Sequence, residues 1–311
     1  FFFKGREPSQ SCLGRAMERP LWSWGRRLVY AFFSVTAVVI VSVCEFVPLF
    51  RPQGFHCNDP DLSHKYIGET ITPTEILIAA FTIPLTILLL NEYWGRIGSN
   101  ARWVKQALYW YKDFISGLLI LLTIVAITKV LVGEPRPHFF DSCKPREAAN
   151  CTSGAFIYHF QCLGRDVRQY QDASKSFPSG HAAVSFYFFF YLSWYIQKNL
   201  KSVQPIVLLW MQTALFLTAC FVALSRITDH RHHWWDVLFG SVLGCAMAVC
   251  SALTFSKNFK SHECEVTTHS FDNRGGRPLT FLGNENHPVQ WFLNKNNGFT
   301  DGNDGSHIIT P

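Results

Sequence analysis

Residues 114–132 read FISGLLILLTIVAITKVLV, with Lys129 as the single charge and that one near the end of the run. A helix that crosses a bilayer needs roughly 20 mostly apolar residues, because no water is available at that depth to satisfy a non-helical backbone. This stretch meets the requirement, and five others resemble it. They are 28–50, 74–94, 180–197, 206–225 and 235–255. The fourth in chain order, 180–197, is the shortest, but its Phe/Tyr-rich core from Phe186 to Tyr195 carries no charge. Pro84 interrupts the second, which a spanning helix tolerates when neighbours satisfy the freed carbonyl. The expected fold is therefore an all-α membrane protein with six transmembrane helices.

Composition agrees. Charged residues make up 16% of the 311, against about 25% in soluble domains, Phe occurs 28 times and the mean hydropathy is above zero. The chain divides into an N-terminal segment 1–27, a six-helix body 28–256 and a polar, Asn/Gly/His-rich tail 257–311 expected to be disordered. Arg26 and Arg27 precede an apolar run long enough to stay in the membrane as an anchor. The net charge of +6 comes from short clusters, with no Lys/Arg block of the kind nucleic-acid tails show, so no nucleic-acid partner is expected. With both termini cytoplasmic, inside segments carry 17 Lys and Arg and outside segments 10, which is the sense of the positive-inside bias. Asn150-Cys151-Thr152 is the one N-x-[ST] sequon, and it falls in the long outside loop, making Asn150 a glycosylation candidate. Cys57, Cys143, Cys151 and Cys162 lie in outside loops where oxidation is permitted, and four cysteines allow three pairings. Cys44, Cys220, Cys245 and Cys250 sit in spans as small apolar residues.

The outer ends of the spans carry the chemistry. Lys129 is followed by Arg136-Pro137-His138. Phe177-Pro178-Ser179-Gly180-His181 opens the fourth span, Ser225-Arg226 closes the fifth, and His232, His233 and Asp236 lead into the sixth. Six spans bring all of these to one membrane face. Lys129, Arg136 and Arg226 supply cations, and arginine offers forked donors that match phosphate oxygens. Ser179 and Gly180 sit where unpaired helix N–H groups favour an anion. His232 and Asp236 are spaced i,i+4, so one helical turn joins an imidazole to a carboxylate that can fix its tautomer, although His233 is also within reach of Asp236. His181 has a side chain suited to protonating a leaving alkoxide. Each piece has a plainer reading by itself. Lys129 alone is a snorkelling lysine, Pro178-Ser179-Gly180 alone is a turn before a helix, and the His230 to His233 run with Trp234 and Trp235 is an interfacial belt or a metal-binding tract. Their joint occurrence on one face, with no C-x-x-C or H-E-x-x-H spacing, favours a metal-free oxyanion site.

The string Lys129-(six residues)-Arg136-Pro137, then Pro178-Ser179-Gly180-His181, then Ser225-Arg226-(five residues)-His232-(three residues)-Asp236 resembles the three-part signature of the type 2 phosphatidic acid phosphatase superfamily. Arg136-Pro137-His138-Phe139 with Asp141 and Cys143, and Leu224-Ser225-Arg226 running to His232-His233-Trp234, resemble the animal lipid phosphate phosphatases more narrowly, most nearly the insect Wunen-like members. The resemblance implies His232 as the nucleophile forming a phosphohistidine, Asp236 orienting it and His181 as general acid. Lys129, Arg136, Ser179, Gly180 and Arg226 would hold the phosphate. It further implies phosphatidate, lysophosphatidate, sphingosine 1-phosphate and ceramide 1-phosphate as substrates, and a dimer at the plasma membrane; three cations with helix-end amides can stabilise phosphoryl transfer, so no cofactor and no Mg²⁺ requirement are expected, and the topology puts the site on the non-cytoplasmic face. His230 and His233 fall outside the signature.

Three rival readings are weaker. A non-catalytic lipid-phosphate-binding protein on the same fold would not need the full ionisable set. A channel or transporter calls for polar residues at the midplane, whereas Glu45 and Lys129 lie near span ends and the spans are otherwise nearly free of charge. A phosphatase for a sugar phosphate or a polyprenyl diphosphate fits the signature but not the narrower resemblance.

Overall fold

The computed structural model describes residues 20–47, 53–94, 102–200, 203–259, 268–271 and 278–281. Among these the helices are α1 (Pro20–Phe46), α2 (Pro73–Trp94), α3 (Arg102–Val132), α4 (Phe139–Cys143), α5 (Val167–Asp172), α6 (Gly180–Asn199), α7 (Pro205–Thr228) and α8 (Trp234–Thr254). Residues 28–260 form one compact unit; 1–27 and 261–311 form another. In the second unit, strand β3 (Thr268–Phe271) pairs antiparallel with β4 (Pro278–Phe281). The rest of the tail, where disorder is expected, lies outside the described residues.

All six expected spans are helices, but only five are long and apolar enough to cross a membrane: α1, α2, α3, α7 and α8. The exception, α6, packs against α2, α3, α7 and α8, and this packing explains its polarity. Tyr187, Tyr191 and Tyr195 recur every four residues along one face, and all are fully buried. Tyr187 Oη donates to Phe114 O at 2.7 Å, Tyr191 Oη to Trp110 O at 3.1 Å, and Tyr195 Oη to Glu92 Oε1 at 3.1 Å. Neighbouring helices satisfy these hydroxyls, so α6 needs no continuous apolar surface of its own. Phe32, Leu131, Leu209, Phe221 and Leu238, by contrast, point outward from the surrounding helices, as residues facing lipid would.

Helix α8 lies against α6 through two glycines one turn apart. A Cβ on Gly240 would come within 2.5 Å of Ser179 O, and one on Gly244 would overlap Ala183 O. Small residues at this spacing let two helix backbones approach closely. The contact brings the first turn of α8 beside the first turn of α6.

Above one end of the bundle, residues 53–72 and 133–179 build a small cap. Its core is Phe55, Leu62, Phe139, Cys143 and Ala173, packed on by Phe140, Phe160 and Tyr170. Strand β1 (Phe55–His56) pairs with β2 (Phe156–Ile157). Disulfides join Cys57 to Cys151 and Cys143 to Cys162, selecting one of the three pairings the sequence leaves open. Cys44, Cys220, Cys245 and Cys250 are free thiols. Asn150 is exposed at the end of a short 3₁₀ turn. Lys175 Nζ donates to Cys44 O at 2.7 Å, tying the cap to the last turn of α1.

Candidate active site

The end of α3 starts the site. Gly133 adopts φ 63°, a conformation that glycine tolerates, and its N–H returns to Lys129 O at 3.0 Å to close the helix. The chain then runs along residues 173–176. Arg136 N donates to Ala173 O at 2.8 Å, and Ser176 N to Glu134 O at 2.9 Å. This places the Arg136 side chain inside the cap, only 4% exposed. Arg136 Nη2 meets Asp172 Oδ1 at 2.7 Å. Burial lowers its pKa to about 10, with Asp172 opposing the shift, so it remains a cation at neutral pH.

Ser179 caps α6, its Oγ accepting from Ala182 N at 3.5 Å. Its own N–H donates to Asp236 O at 3.1 Å, which couples the starts of α6 and α8. A Cβ on Gly180 would stand 4.0 Å from Lys129 Nζ. The lysine ammonium therefore hangs beside the opening turn of α6, where helix N–H groups already favour negative charge. His181 follows, its Nε2 buried without a hydrogen-bond partner.

Helix α7 ends at Thr228, and His230 takes a positive φ of 52° that turns the chain back. Arg231 N and His232 N both donate to Arg226 O, at 3.0 and 3.1 Å. Arg226 is 1% exposed, with Nη1 donating to Ile71 O at 2.7 Å and Nη2 lying 3.6 Å from Glu69 Oε2. His232 is 3% exposed and its Nδ1 sits 3.7 Å from Asp236 Oδ2. That is close enough for an ion pair but longer than a hydrogen bond. Asp236 is fully buried, and its Oδ2 accepts from Ser176 Oγ at 2.6 Å and from His233 N at 2.9 Å. Burial holds the His232 imidazole well below its ordinary pKa. Asp236 pulls the other way, and the Arg136 and Lys129 charges add to the depression. The ring is therefore neutral, the state in which an imidazole is nucleophilic.

The structure brings every expected site residue to this one end of the bundle, and it adds others. Arg231 Nη2 bridges Asp172 Oδ2 at 2.5 Å and Glu69 Oε1 at 2.7 Å, while its Nη1 faces His138 Nε2 at 3.2 Å. Burial works against the Asp172 charge, but Arg136 and Arg231 hold its carboxyl well below the usual carboxylate range. Thr70 N and Oγ1 both donate to Asp229, each at 2.7 Å. Glu69, Asp172, Ser176, Asp229 and Arg231 carry no motif of their own. A surplus of charge in loops flanking an apolar run is the one hint the sequence offers. Glu134, His233 and Asp236 also bring three metal-capable side chains within 4.8 Å of one another, a grouping no ligand spacing announces.

Chemically, the arrangement is a set of donors waiting for an anion. The Nε atoms of Arg136, Arg226 and Arg231 are buried without hydrogen-bond partners, as is His181 Nε2, while His232 Nδ1 faces the Asp236 carboxylate. Leaving a charged donor unpaired in the interior is costly unless a ligand completes it. A tetrahedral oxyanion among three arginines and a helix N-terminus would do so.

Residues 110–260 match the PAP2 superfamily, a stretch that contains Lys129, both histidines and Asp236. The chain is 30% identical to the Caenorhabditis elegans phospholipid phosphatase homolog 1.2 homolog over 260 residues, covering 77% of this chain and 75% of that protein. It is 29% identical to mouse phospholipid phosphatase 1, over 80% of this chain and 90% of that one. With mouse phospholipid phosphatase 2 the identity is 28%, over 76% and 89%. Likeness of this extent across the whole helical unit, on a fold whose helix ends gather the signature residues, places the chain in the PAP2 superfamily, among the lipid phosphate phosphatases.

Proposed function

We propose that the protein is an integral membrane phosphatase that hydrolyses phosphomonoesters of lipids through a phosphohistidine. The observation that carries this is the group of buried, unpartnered donors around His232. A phosphate seated on Lys129, Arg136, Arg226 and the amides at Ser179 and Gly180 presents its phosphorus to His232. The imidazole attacks, a P–N bond forms, the P–O ester bond breaks, and His181 gives its proton to the departing lipid alkoxide. The dianionic substrate brings the charge that lets His181 hold that proton among so many cations. Water then attacks the phosphohistidine, His181 takes its proton back, and the P–N bond breaks to release inorganic phosphate. Asp236 keeps His232 in the required tautomer and steadies its developing charge. Phosphoryl transfer asks mainly for positioning and charge stabilisation, which this cation set supplies without Mg²⁺.

The site lies at the ends of apolar helices, so the substrate is one whose headgroup sits at the interface and whose chain stays in the bilayer. Phosphatidate, lysophosphatidate, sphingosine 1-phosphate and ceramide 1-phosphate fit that description. The charge bias and the two disulfides support a non-cytoplasmic site with cytoplasmic termini; the likeness to lipid phosphate phosphatases supports the plasma membrane and a dimer, and the exposed sequon supports glycosylation at Asn150. The test is phosphate release from lysophosphatidate by detergent-purified protein in excess EDTA, for wild type and His232→Ala. Activity that survives EDTA and is lost in the variant is the expected result. A Mg²⁺ requirement or an active variant would overturn the mechanism.

A further inference from the structure

Residues 69–71 reach the site from the linker that precedes α2. Glu69 Oε1 lies 2.7 Å from Arg231 Nη2, and its Oε2 lies 3.6 Å from Arg226 Nη2. The Ile71 carbonyl accepts from Arg226 Nη1 at 2.7 Å, and the same Ile71 backbone is a polar partner of the His181 ring. Both Nη atoms of Arg226 are therefore engaged by the linker, and Nε is the nitrogen left without a partner. Thr70, between these two residues, is gripped twice by one carboxylate. Its N–H donates to Asp229 Oδ2 and its Oγ1 to Asp229 Oδ1, each at 2.7 Å. Asp229 has a firm base. It is buried, its own N–H returns to Ser225 O at 2.9 Å at the end of α7, and its Oδ2 stands 3.8 Å from Arg226 Nη1. The His64 ring stacks on the His230 ring, with centroids 4.1 Å apart and planes 11° from parallel, a second fastening between the same two segments.

We propose that Asp229 is a positioning residue for hydrolysis: by clamping Thr70 it holds the Ile71 backbone where that backbone sets Arg226 and His181 at one fixed spacing. The proposal rests on the roles of Arg226 and His181 in the hydrolysis given above; the clamp geometry does not. Two short hydrogen bonds to a single carboxylate fix both the place and the direction of Thr70. The peptide that follows is planar, so few soft torsions separate the clamp from the Ile71 carbonyl. Because Asp229 sits on the helix that carries Arg226, the linker is held against the cation it serves. A proton donor must stand within hydrogen-bond reach of the leaving oxygen when the phosphate is seated. A linker free to shift would move the acid and the cation independently, and the two would no longer meet one phosphate in register.

The test uses the full chain in detergent micelles and two substrates with unequal leaving groups. One is lysophosphatidate, whose alkoxide needs a proton to depart. The other is the phosphate ester of a nitrophenol bearing a long alkyl chain, whose phenolate leaves without one. Asp229→Asn and Thr70→Val are expected to lower kcat on lysophosphatidate about 10- to 100-fold, and on the nitrophenyl ester by several-fold less. Thr70→Ser keeps the hydroxyl and should retain most of both rates. A loss of folded protein alone would lower the two substrates equally. Equal losses on both, or wild-type rates in both Asp229→Asn and Thr70→Val, overturn the proposal. If Asp229→Asn does not fold, Thr70→Val decides alone. His181→Ala keeps the two failures apart. If it discriminates between the leaving groups and the clamp variants do not, the clamp is wrong. Equal losses in His181→Ala itself would instead count against His181 as the acid of the proposed hydrolysis.

Discussion

Asp172 Oδ1 meets Arg136 Nη2 at 2.7 Å, and the same carboxylate reaches Arg231 with its other oxygen. A single acid at the end of a short cap helix therefore fixes the direction of an arginine assigned to the phosphate. Asp172→Asn keeps the shape and removes the charge that holds the guanidinium. Loss of a supporting partner of this kind costs about 10- to 100-fold in activity, and we expect kcat/KM on lysophosphatidate to fall by that order. Steady-state kinetics with an unchanged thermal unfolding profile would attribute the loss to Arg136. A collapse in stability instead would make Asp172 a structural residue.

Ser176 donates to Asp236 at 2.6 Å, steadying the acid behind His232. Ser176→Ala leaves that oxygen with one donor fewer, while Ser176→Thr retains the hydroxyl. We expect a drop in kcat of roughly tenfold for alanine, corresponding to about 1.4 kcal/mol, with KM little changed and threonine restoring most of the rate. An effect on KM alone would contradict the assignment.

His138 is fully buried, its Nδ1 sharing a hydrogen bond with Ser142 Oγ at 2.8 Å. Burial, then the Arg136 and Arg231 charges, push its pKa down to about 3. The unfolded chain takes up a proton near pH 6.5, the folded protein only near 3. The contribution of His138 to stability is thus complete above pH 6.5 and is lost progressively as pH falls from 6.5 towards 3, by on the order of a few kcal/mol. Thermal unfolding between pH 7 and 4 should show this slope, and His138→Asn should flatten it.

Gly244 faces Ala183 O and Tyr187 N across the α6–α8 contact, too close for any added carbon. Gly244→Ala should push the helices apart at a cost of about 1–3 kcal/mol. It should also lower kcat, because Ser179 and Asp236 ride on these two helices. A thermal shift assay with parallel kinetics checks both. Wild-type behaviour would mean the two helices can separate without disturbing the site.

The bundle was legible because apolar length is a strong signal and the bilayer enforces it. Lys129, His181 and Asp236 could be placed at one end from span order alone. The sequence expectation counted 180–197 as one more span, without saying what its faces meet. In the structure its tyrosines bond inward to α2 and α3, and periodicity cannot tell a helix facing lipid from one facing other helices. Glu69, Asp172 and Arg231 were not legible, since each gains its role from a loop-to-loop contact far apart in the chain. The disulfide pairing was closed to spacing arguments for the same reason. Glu134 likewise carries no motif, and its neighbours Trp235 and His233 come to it only through the fold.

The bond between Cys57 and Cys151 spans 94 residues of chain. Cys57 belongs to the same linker as Ile71, whose carbonyl receives Arg226. On the ribosome that linker emerges early and has nothing to join. Its partner cysteine follows only after α2 and α3 have been made, and Arg226 later still. The order of synthesis therefore sets an earliest moment for each tie: the disulfide cannot close before residue 151 has emerged, nor can the arginine reach the Ile71 carbonyl before residue 226 has.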